Sequence, residues 1–480
     1  MEWMGLGLLV MVAMGIVFTG LPALLVLLTV SVCGAAIGVA SGTIPFALLS
    51  ALPGRLINLF ENDLLQALPL YVLMGVLLDR MPIADALYRA GLAILPRGPA
   101  AAPVSGMMLG ALIGPMSGSV GASVLAMTRI VAPRLSASGI PAPTRFAVVA
   151  VASTLGVVIP PSLVLILLGD AMLSAHTMAV TASGRADRVI NTQDVFHGAL
   201  VPAAIMLVFC LLVAWRAGRN IQIESSSQQK TTLTGAQAIL AGISVLSLVT
   251  LLGGIAAGQF YAVEAAAMGA TVLLVTGIVF GHLRLKALDE ILRDTMAVTG
   301  ALFALLLAAT TLTLVLRTFG TDRLIGNWIT SIPGNDIVVM TVVLAAIGIC
   351  AFVLDAFEII FVVIPIVVPP LLVRVADARW VAVLILLTLQ ISFLLPPLGY
   401  ALMMVRGNFK ENISFSALAR AFSPFLLAQW VVLAIVLCAP QLVHIGEKAA
   451  DTSRTPLVPL SDQEINRRFE QMMPKLPEPD

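Results

Sequence analysis

Charged residues are scarce in this sequence. Asp, Glu, Lys and Arg make up 11% of its 480 residues, whereas 59% are hydrophobic and the mean hydropathy is +1.03. This composition excludes a soluble globular domain, because too few polar residues are present to cover one, and it is typical of an integral membrane protein. The formal net charge of +1 gives no basic surface, so we expect no nucleic-acid partner.

Cysteine and histidine are also rare, with four of each. The cysteines Cys33, Cys210, Cys350 and Cys438 lie singly inside apolar runs, which is not the spacing of a disulfide framework or a metal site. The sequence has neither a His-Glu-x-x-His zinc motif nor a Gly-x-x-x-x-Gly-Lys phosphate loop, so a membrane-embedded enzyme is the least favoured class and no ATP is expected. The start of the chain lacks the basic region of a cleaved signal peptide, so we expect the first apolar segment to stay as a membrane helix.

Apolar runs fill most of the chain and predict an all-α membrane fold in two halves of similar plan. Residues 1–215 form the first half, 216–235 a polar cytoplasmic linker, 236–443 the second half, and 444–480 a polar tail that is expected to be disordered. The expected spans are 4–20, 22–40, 63–80, 198–215, 236–257, 262–281, 299–317 and 422–440. Interfacial arms are expected at 46–62 and 284–295, a basic connection between 80 and 101, and a polar loop at 170–197.

Each half also contains a polar interruption that is followed by a helix with a proline pair. We interpret 101–134 and 338–374 as re-entrant hairpins, and 141–169 and 380–406 as helices broken at Pro160-Pro161 and Pro396-Pro397. The same 236 positions separate Pro160 from Pro396 and Ser119 from Asp355, which indicates an internal repeat. Discontinuous helices at matching places in two halves indicate a substrate and ion site near the membrane midplane.

Each half is expected to cross the membrane five times, because a hairpin returns to the side from which it started. An odd number of crossings inverts the second half relative to the first. With the linker in the cytoplasm, fifteen Lys and Arg residues lie on the cytoplasmic side, seven on the other side and five in the tail. Because positively charged loops stay inside, the sequence predicts two inverted-topology repeats with both termini outside.

The first hairpin and first broken helix supply hydroxyl groups and glycine backbone. The residues concerned are Ser117, Gly118 and Ser119 at the hairpin tip and Ser153, Thr154 and Gly156 before the first proline pair. Hydroxyl and carbonyl oxygens beside a residue without a Cβ can approach a small cation closely. A structural role is also open, because glycines recur every four residues from 106 to 118, as in a helix-packing ridge.

The second hairpin carries two carboxylates in an otherwise apolar stretch. Asp355 and Glu358 interrupt residues 338–373, where an ionisable side chain costs about 2.5 to 3.5 kcal/mol on insertion scales and indicates a functional site. The alternative is an interfacial tip that merely reaches water. Gln390 and Ser392 are the polar residues before the second proline pair and correspond in position to Thr154 and Gly156.

These segments resemble the signature segments of the large membrane (M) subunit of TRAP transporters, the tripartite ATP-independent periplasmic systems. They are Met-Ser-Gly-Ser ending at Ser119, Ser-Thr-Leu-Gly-Val-Val-Ile-Pro-Pro-Ser from Ser153 to Ser162, and Leu-Pro-Pro-Leu-Gly ending at Gly399. The resemblance covers roughly residues 1–443 and is DctM-like, similar to the mannitol/chloroaromatic or 2-oxoacid type branch. Two features depart from the family, namely Ser123 in place of an aspartate and the proline-rich tail.

The resemblance implies a sodium-coupled secondary importer of an organic anion, of the elevator type found in the ion-transporter superfamily. It implies one sodium site at Ser117, Gly118, Ser119, Ser153, Thr154 and Gly156, and another at Asp355, Gln390, Ser392, Pro396 and Gly399. Substrate is expected between them, near Ser119, Ser123, Ser162, Glu358 and Gly399. The implied partners are a small four-helix membrane subunit (Q type) and a periplasmic substrate-binding protein (P type), at a bacterial inner membrane.

A stand-alone sodium-coupled carboxylate carrier of related architecture would share the repeat but would need no binding protein. A neighbouring gene for a small four-helix subunit would discriminate between the two. The substrate and the sodium stoichiometry are not encoded in any motif of the sequence.

Overall fold

The computed structural model describes residues 2–42, 45, 50–61, 63–95, 98–116, 120–160, 162–185, 187–219, 235–256, 258–396, 399–409, 411 and 413–445. Within these ranges all regular structure is helical, and seven helices are long and apolar enough to cross a membrane. The seven are Ala23–Ala40, Leu163–Ser183, Thr192–Arg219, Ala238–Ile255, Leu285–Thr318, Ala356–Arg374 and Phe415–Cys438. The prediction of a multi-pass, all-α membrane protein is therefore confirmed.

The remaining described helices have 18 residues or fewer. They are Glu2–Thr19, Ala51–Glu61, Asp63–Gln66, Leu68–Arg80, Ile83–Ile94, Ala101–Ile113, Val120–Ala137, Ala142–Thr154, Ala262–Val279, Thr321–Ser331, Asp336–Cys350, Ala378–Ser392 and Tyr400–Asn408. The helical unit covers residues 1–443, and residues 444–480 form a separate unit. The tip 117–119, linker residues 220–234 and tail residues 446–480 lie outside the described residues, so the predictions for them stay predictions.

The segment between Arg80 and Ala101 contains the helix Ile83–Ile94, which the expectation of a basic connection did not include. The helix Ile83–Ile94 buries one apolar face that includes Leu87 and Tyr88. Its polar face carries an ion pair of 2.8 Å between Asp85 and Arg89, which are four positions apart. Asp85 also pairs with Arg134 of the neighbouring hairpin. Arg89 therefore lies on the polar face of an amphipathic helix.

The first broken helix is longer than predicted. It comprises Ala142–Thr154, a short 3-10 turn at Leu155–Val157, and Leu163–Ser183, so the expected polar loop at 170–197 was wrong. Small and apolar residues at 171, 175 and 179 are buried at helical spacing and continue the packed face past Asp170. Gly184 ends the helix in the left-handed conformation with φ 64°.

The second half also departs from the prediction in one respect. The expected interfacial arm at 284–295 and the expected span at 299–317 form one continuous helix of 34 residues, Leu285–Thr318, called the long helix below. The charged first turns and the apolar remainder share one helical backbone, because neither proline nor glycine interrupts the pattern between Asp294 and Gly300. A further helix, Thr321–Ser331, follows it and was not predicted.

Two arginines tie the beginnings of the broken helices to the opposite halves of the chain. Arg145 donates to both carboxylate oxygens of Glu411, each at 2.9 Å. Arg379 is 8% exposed and pairs with Asp194 at 3.2 Å. Each pair joins the first turn of a broken helix in one half of the chain to an acidic residue in the other half.

Candidate functional site

The first predicted hairpin contacts the first broken helix backbone to backbone. A Cβ built on Gly156 would lie 2.1 Å from the carbonyl carbon of Gly114, and one built on Gly110 would lie 2.3 Å from the carbonyl oxygen of Ala152. No side chain fits at either position, so glycine is required at this crossing. The glycines therefore serve the packing role that the sequence analysis left open, beside the first candidate cation site.

A small cavity lies next to this crossing. Its volume is about 10 Å³, which is close to the space one water molecule needs. Its oxygen-bearing lining side chains are Ser123, Ser153 and Ser162, each 1% exposed, and Gly156 contributes backbone. Proline at position 160 has no amide to donate, so the Gly156 carbonyl lacks its usual partner four residues ahead. A cavity of this size and chemistry fits a single small hard cation.

The two broken helices meet at Thr154 and Gln390. The side-chain amide of Gln390 donates to the Thr154 hydroxyl at 2.8 Å, and both residues are fully buried. The two positions are 236 apart, which is the spacing of the internal repeat that the sequence predicts. The Oε1 atom of Gln390 has no hydrogen-bond partner among the described residues. A buried acceptor without a partner is costly, so it is a candidate ligand for a cation.

Asp355 and Glu358 form a reciprocal cap at the start of Ala356–Arg374, the return arm of the second predicted hairpin. The Oδ1 atom of Asp355 accepts from the Ala356 amide at 2.8 Å, and Glu358 Oε2 accepts from the Asp355 amide at 3.1 Å. This capping box explains part of their presence in an apolar segment. Glu358 is 8% exposed and Asp355 is half-buried, so two acidic groups concentrate at this tip.

The second break lies between Ser392 and Tyr400. The Ser392 hydroxyl donates to the Thr388 carbonyl at 2.8 Å, and the Gly399 amide donates to the Leu395 carbonyl at 2.8 Å. Gly399 is crowded by backbone, since a Cβ there would lie 2.6 Å from the Phe393 carbonyl oxygen. The first arm of the second predicted hairpin packs beside this break, since a Cβ built on Gly348 would lie 3.4 Å from the Ser392 hydroxyl oxygen. The structure therefore brings the second break and the second predicted hairpin together.

The chain was compared with known proteins. Residues 6–442 match the family model described as the tripartite ATP-independent periplasmic transporter, DctM component. The chain belongs to this family. It is 22% identical to the C4-dicarboxylate TRAP transporter large permease DctM of Rhodobacter capsulatus, over 81% of this chain and 88% of that protein. It is 23% identical to the sialic acid large permease SiaM of Vibrio cholerae, over 89% and 95%.

A solved structure shares the fold at lower identity. The YdaH transporter of Alcanivorax borkumensis superposes with a TM-score of 0.63 at 13% identity, over 82% of this chain and 87% of that one. As a TRAP large permease, the chain is a transporter subunit and not an enzyme. Members of the family work with a small membrane subunit and a periplasmic binding protein.

The structure places the predicted site residues of this TRAP permease as follows. Ser123, Ser153, Gly156 and Ser162 line one cavity, and Thr154 and Gln390 join the two breaks. Ser392, Pro396 and Gly399 belong to the second break, and Asp355 and Glu358 to the second tip. Ser117, Gly118 and Ser119 lie outside the described residues.

Sequence reasoning missed a polar contact between the long helix and the second hairpin. Thr313 donates to the Phe361 carbonyl at 3.3 Å, and Arg317 donates to the Pro365 carbonyl at 3.0 Å. Both carbonyls lack the usual helical donor four residues ahead, because positions 365 and 369 are prolines. The donors are four residues apart on one helix and the acceptors four apart on the other. The proline spacing was a signal that could have predicted this contact.

Proposed function

We propose that this TRAP permease imports an organic anion by sodium-coupled secondary transport. The proposal rests on buried oxygen atoms near the breaks of the two broken helices. A cation-sized cavity with three buried serines lies beside one break, and the buried Gln390 oxygen lies where the two breaks meet. Oxygen atoms are the ligands that hard cations such as sodium prefer, and sodium is therefore the coupling ion that we propose.

The proposed substrate is a small organic anion of the carboxylate or 2-oxoacid class. The relatives named for C4-dicarboxylate and sialic acid, both carboxylates, support this class. We place the substrate between the two tips, near Ser119, Ser123, Ser162, Glu358 and Gly399. Bound sodium would offset the negative charge of Asp355 and Glu358 at the second tip, and an anion could then approach this tip.

The proposed motion is an elevator in which the two hairpins and broken helices move as one body. Close backbone packing at Gly114 and Gly156 supports a stiff contact between one hairpin and its broken helix. The ion pairs of Arg145 and Arg379 also support this motion as one body, because each joins a residue in one half of the chain to a residue in the other half. We propose the bacterial inner membrane as the location, with both termini in the periplasm.

The dependence of uptake on a binding protein tests the proposed partners. Vesicles that contain this chain and its small membrane subunit should show negligible uptake of the ligand that co-purifies with the cognate binding protein. Addition of the binding protein should start the uptake. Equal uptake with and without the binding protein would instead identify a stand-alone carrier.

A further inference from the structure

A second and larger cavity lies away from the serine-lined one. Its volume is about 230 Å³, and it is lined mainly by the long helix, by Leu163–Ser183 and by the return arm Ala356–Arg374, with Leu59 and Leu65 completing the lining. Its polar lining residues are Asp170, Ser174, Thr310, Thr313 and Arg317, and most of the rest of the lining is apolar. Among the described lining residues, Arg317 is the one basic side chain.

The volume of this cavity suits a small organic molecule. One water molecule occupies about 30 Å³ of liquid, so the cavity has room for roughly seven waters or a ligand of similar size. Pockets for drug-sized ligands begin at about 300 Å³, which places this one at the scale of a short carboxylic acid. The serine-lined cavity, at about 10 Å³, has no such room.

Arg317 makes one contact that a ligand carboxylate can replace. One terminal nitrogen, Nη2, donates to the Pro365 carbonyl at 3.0 Å and to the Met178 sulfur at 3.3 Å. A thioether is a weak acceptor on a flexible side chain, whereas a carboxylate forms short, charge-assisted bonds with a guanidinium. A carboxylate that replaces the sulfur therefore gains a stronger bond while the Pro365 carbonyl keeps its donor.

We propose that this cavity is a second binding site for a small organic anion, separate from the hairpin tips, in which Arg317 binds a carboxylate. The inference rests on the proposed transport of an organic anion. Apolar neighbours such as Leu306, Ile360 and Phe361 contact the carbon skeleton of the ligand. Asp170 contributes a negative charge to the same cavity, so the positive charge of Arg317 decides whether an anion can enter.

The same residues connect the site to the second hairpin. Arg317 and Thr313 hold carbonyls of the return arm, which begins at the capping box of Asp355 and Glu358. A ligand bound to Arg317 therefore contacts the element that carries the second acidic tip. Ligand binding at Arg317 can therefore affect the proposed sodium site through the return arm.

The test measures the electrostatic preference of the cavity with thiol reagents on purified protein. The four native cysteines are first replaced by alanine, and Thr310→Cys then places one thiol in the cavity lining. Its reaction rate is measured with an anionic sulfonatoethyl and a cationic trimethylammonioethyl methanethiosulfonate. Arg317→Gln should lower the ratio of the anionic to the cationic rate by roughly tenfold. Arg317→Lys, which keeps the charge, should retain the ratio.

Controls separate the site from general effects. Arg323→Gln removes an exposed arginine six positions away that does not line the cavity, and it should leave the ratio unchanged. Succinate or pyruvate should slow labelling of Thr310→Cys by the anionic reagent, and the protection should disappear with Arg317→Gln. A rate ratio that does not depend on Arg317, or no protection by either acid, would overturn the proposal. These measurements need neither a sodium gradient nor a binding protein, so failed uptake would not affect them.

Discussion

At the scale of single residues, Asp355 combines a structural and a proposed ionic role in one carboxylate. It caps the return arm, and it lies in a segment with no Lys or Arg between residues 338 and 373. Asn caps helices as well as Asp does, so Asp355→Asn removes the charge and keeps the cap. We expect the sodium concentration for half-maximal uptake to rise by about tenfold, corresponding to roughly 1.4 kcal/mol, with expression unchanged.

A matched control for this variant exists in the same half. Asp377 caps Ala378–Ser392 by accepting from the Trp380 amide at 3.0 Å. Asp377→Asn makes the same chemical change at a helix start that we assign to no ion site, so the sodium dependence should stay as in the native protein. An unaltered sodium dependence for Asp355→Asn as well would mean that the acidic tip is structural.

The buried oxygen of Gln390 leads to a prediction in which function and stability separate. Gln390→Met keeps the volume and removes an acceptor whose burial without a partner costs about 1 to 3 kcal/mol. The lost hydrogen bond to Thr154 offsets this gain, so we expect thermal stability to change little, while sodium-dependent uptake is lost. Gln429→Met is the control and should leave uptake unchanged. Gln429 is also fully buried, and its Oε1 atom lacks a partner among the described residues. Normal uptake by Gln390→Met would exclude its amide as a ligand.

Sequence patterns predicted part of the site at this scale. The repeat spacing paired positions 154 and 390, and the structure shows a direct hydrogen bond between them. Sequence could not show that Asp355 and Glu358 cap each other, because a capping box and a pair of ion ligands share the same i, i+3 spacing. The cavity around Arg317 is lined by segments that are distant in sequence, so no local pattern contains it.

At the scale of elements, the crossing of the first hairpin and first broken helix depends on glycine. Gly156→Ala would place a Cβ 2.1 Å from Gly114, so the backbones must separate. We expect a loss of roughly 1 to 3 kcal/mol from overpacking, seen as a lower melting temperature of the purified protein, and impaired uptake. Gly300→Ala, in the long helix with open space around it, is the control and should be neutral or slightly stabilising. Equal melting temperatures would contradict this account of the crossing.

The positions of helices were predictable where a single sequence feature determined them. Apolar length located the spans, and the proline pairs located both breaks, since Ala142–Thr154 and Ala378–Ser392 end just before them. The helix Ile83–Ile94 was missed because its charges masked its apolar face. Leu163–Ser183 was cut short because Asp170 was taken as the end of a span, although the buried face continues beyond it.

At the scale of the whole molecule, the proposed topology makes a prediction about accessibility. In a variant without native cysteines, a cysteine at Ser461 should react with an impermeant reagent added to intact cells. A cysteine at Ser226 should react only after the membrane is opened. Both positions lie outside the described residues, so the experiment depends on the Lys and Arg distribution alone. The reverse pattern would contradict the inverted-repeat interpretation.

The most direct test of sodium coupling is uptake into vesicles with defined ions. The vesicles contain this chain and its small subunit, and the cognate binding protein is added with its co-purified ligand in labelled form. An inward sodium gradient should drive accumulation of the ligand above its outside concentration without ATP, and collapse of that gradient should release it. The same accumulation with potassium in place of sodium would contradict the central claim.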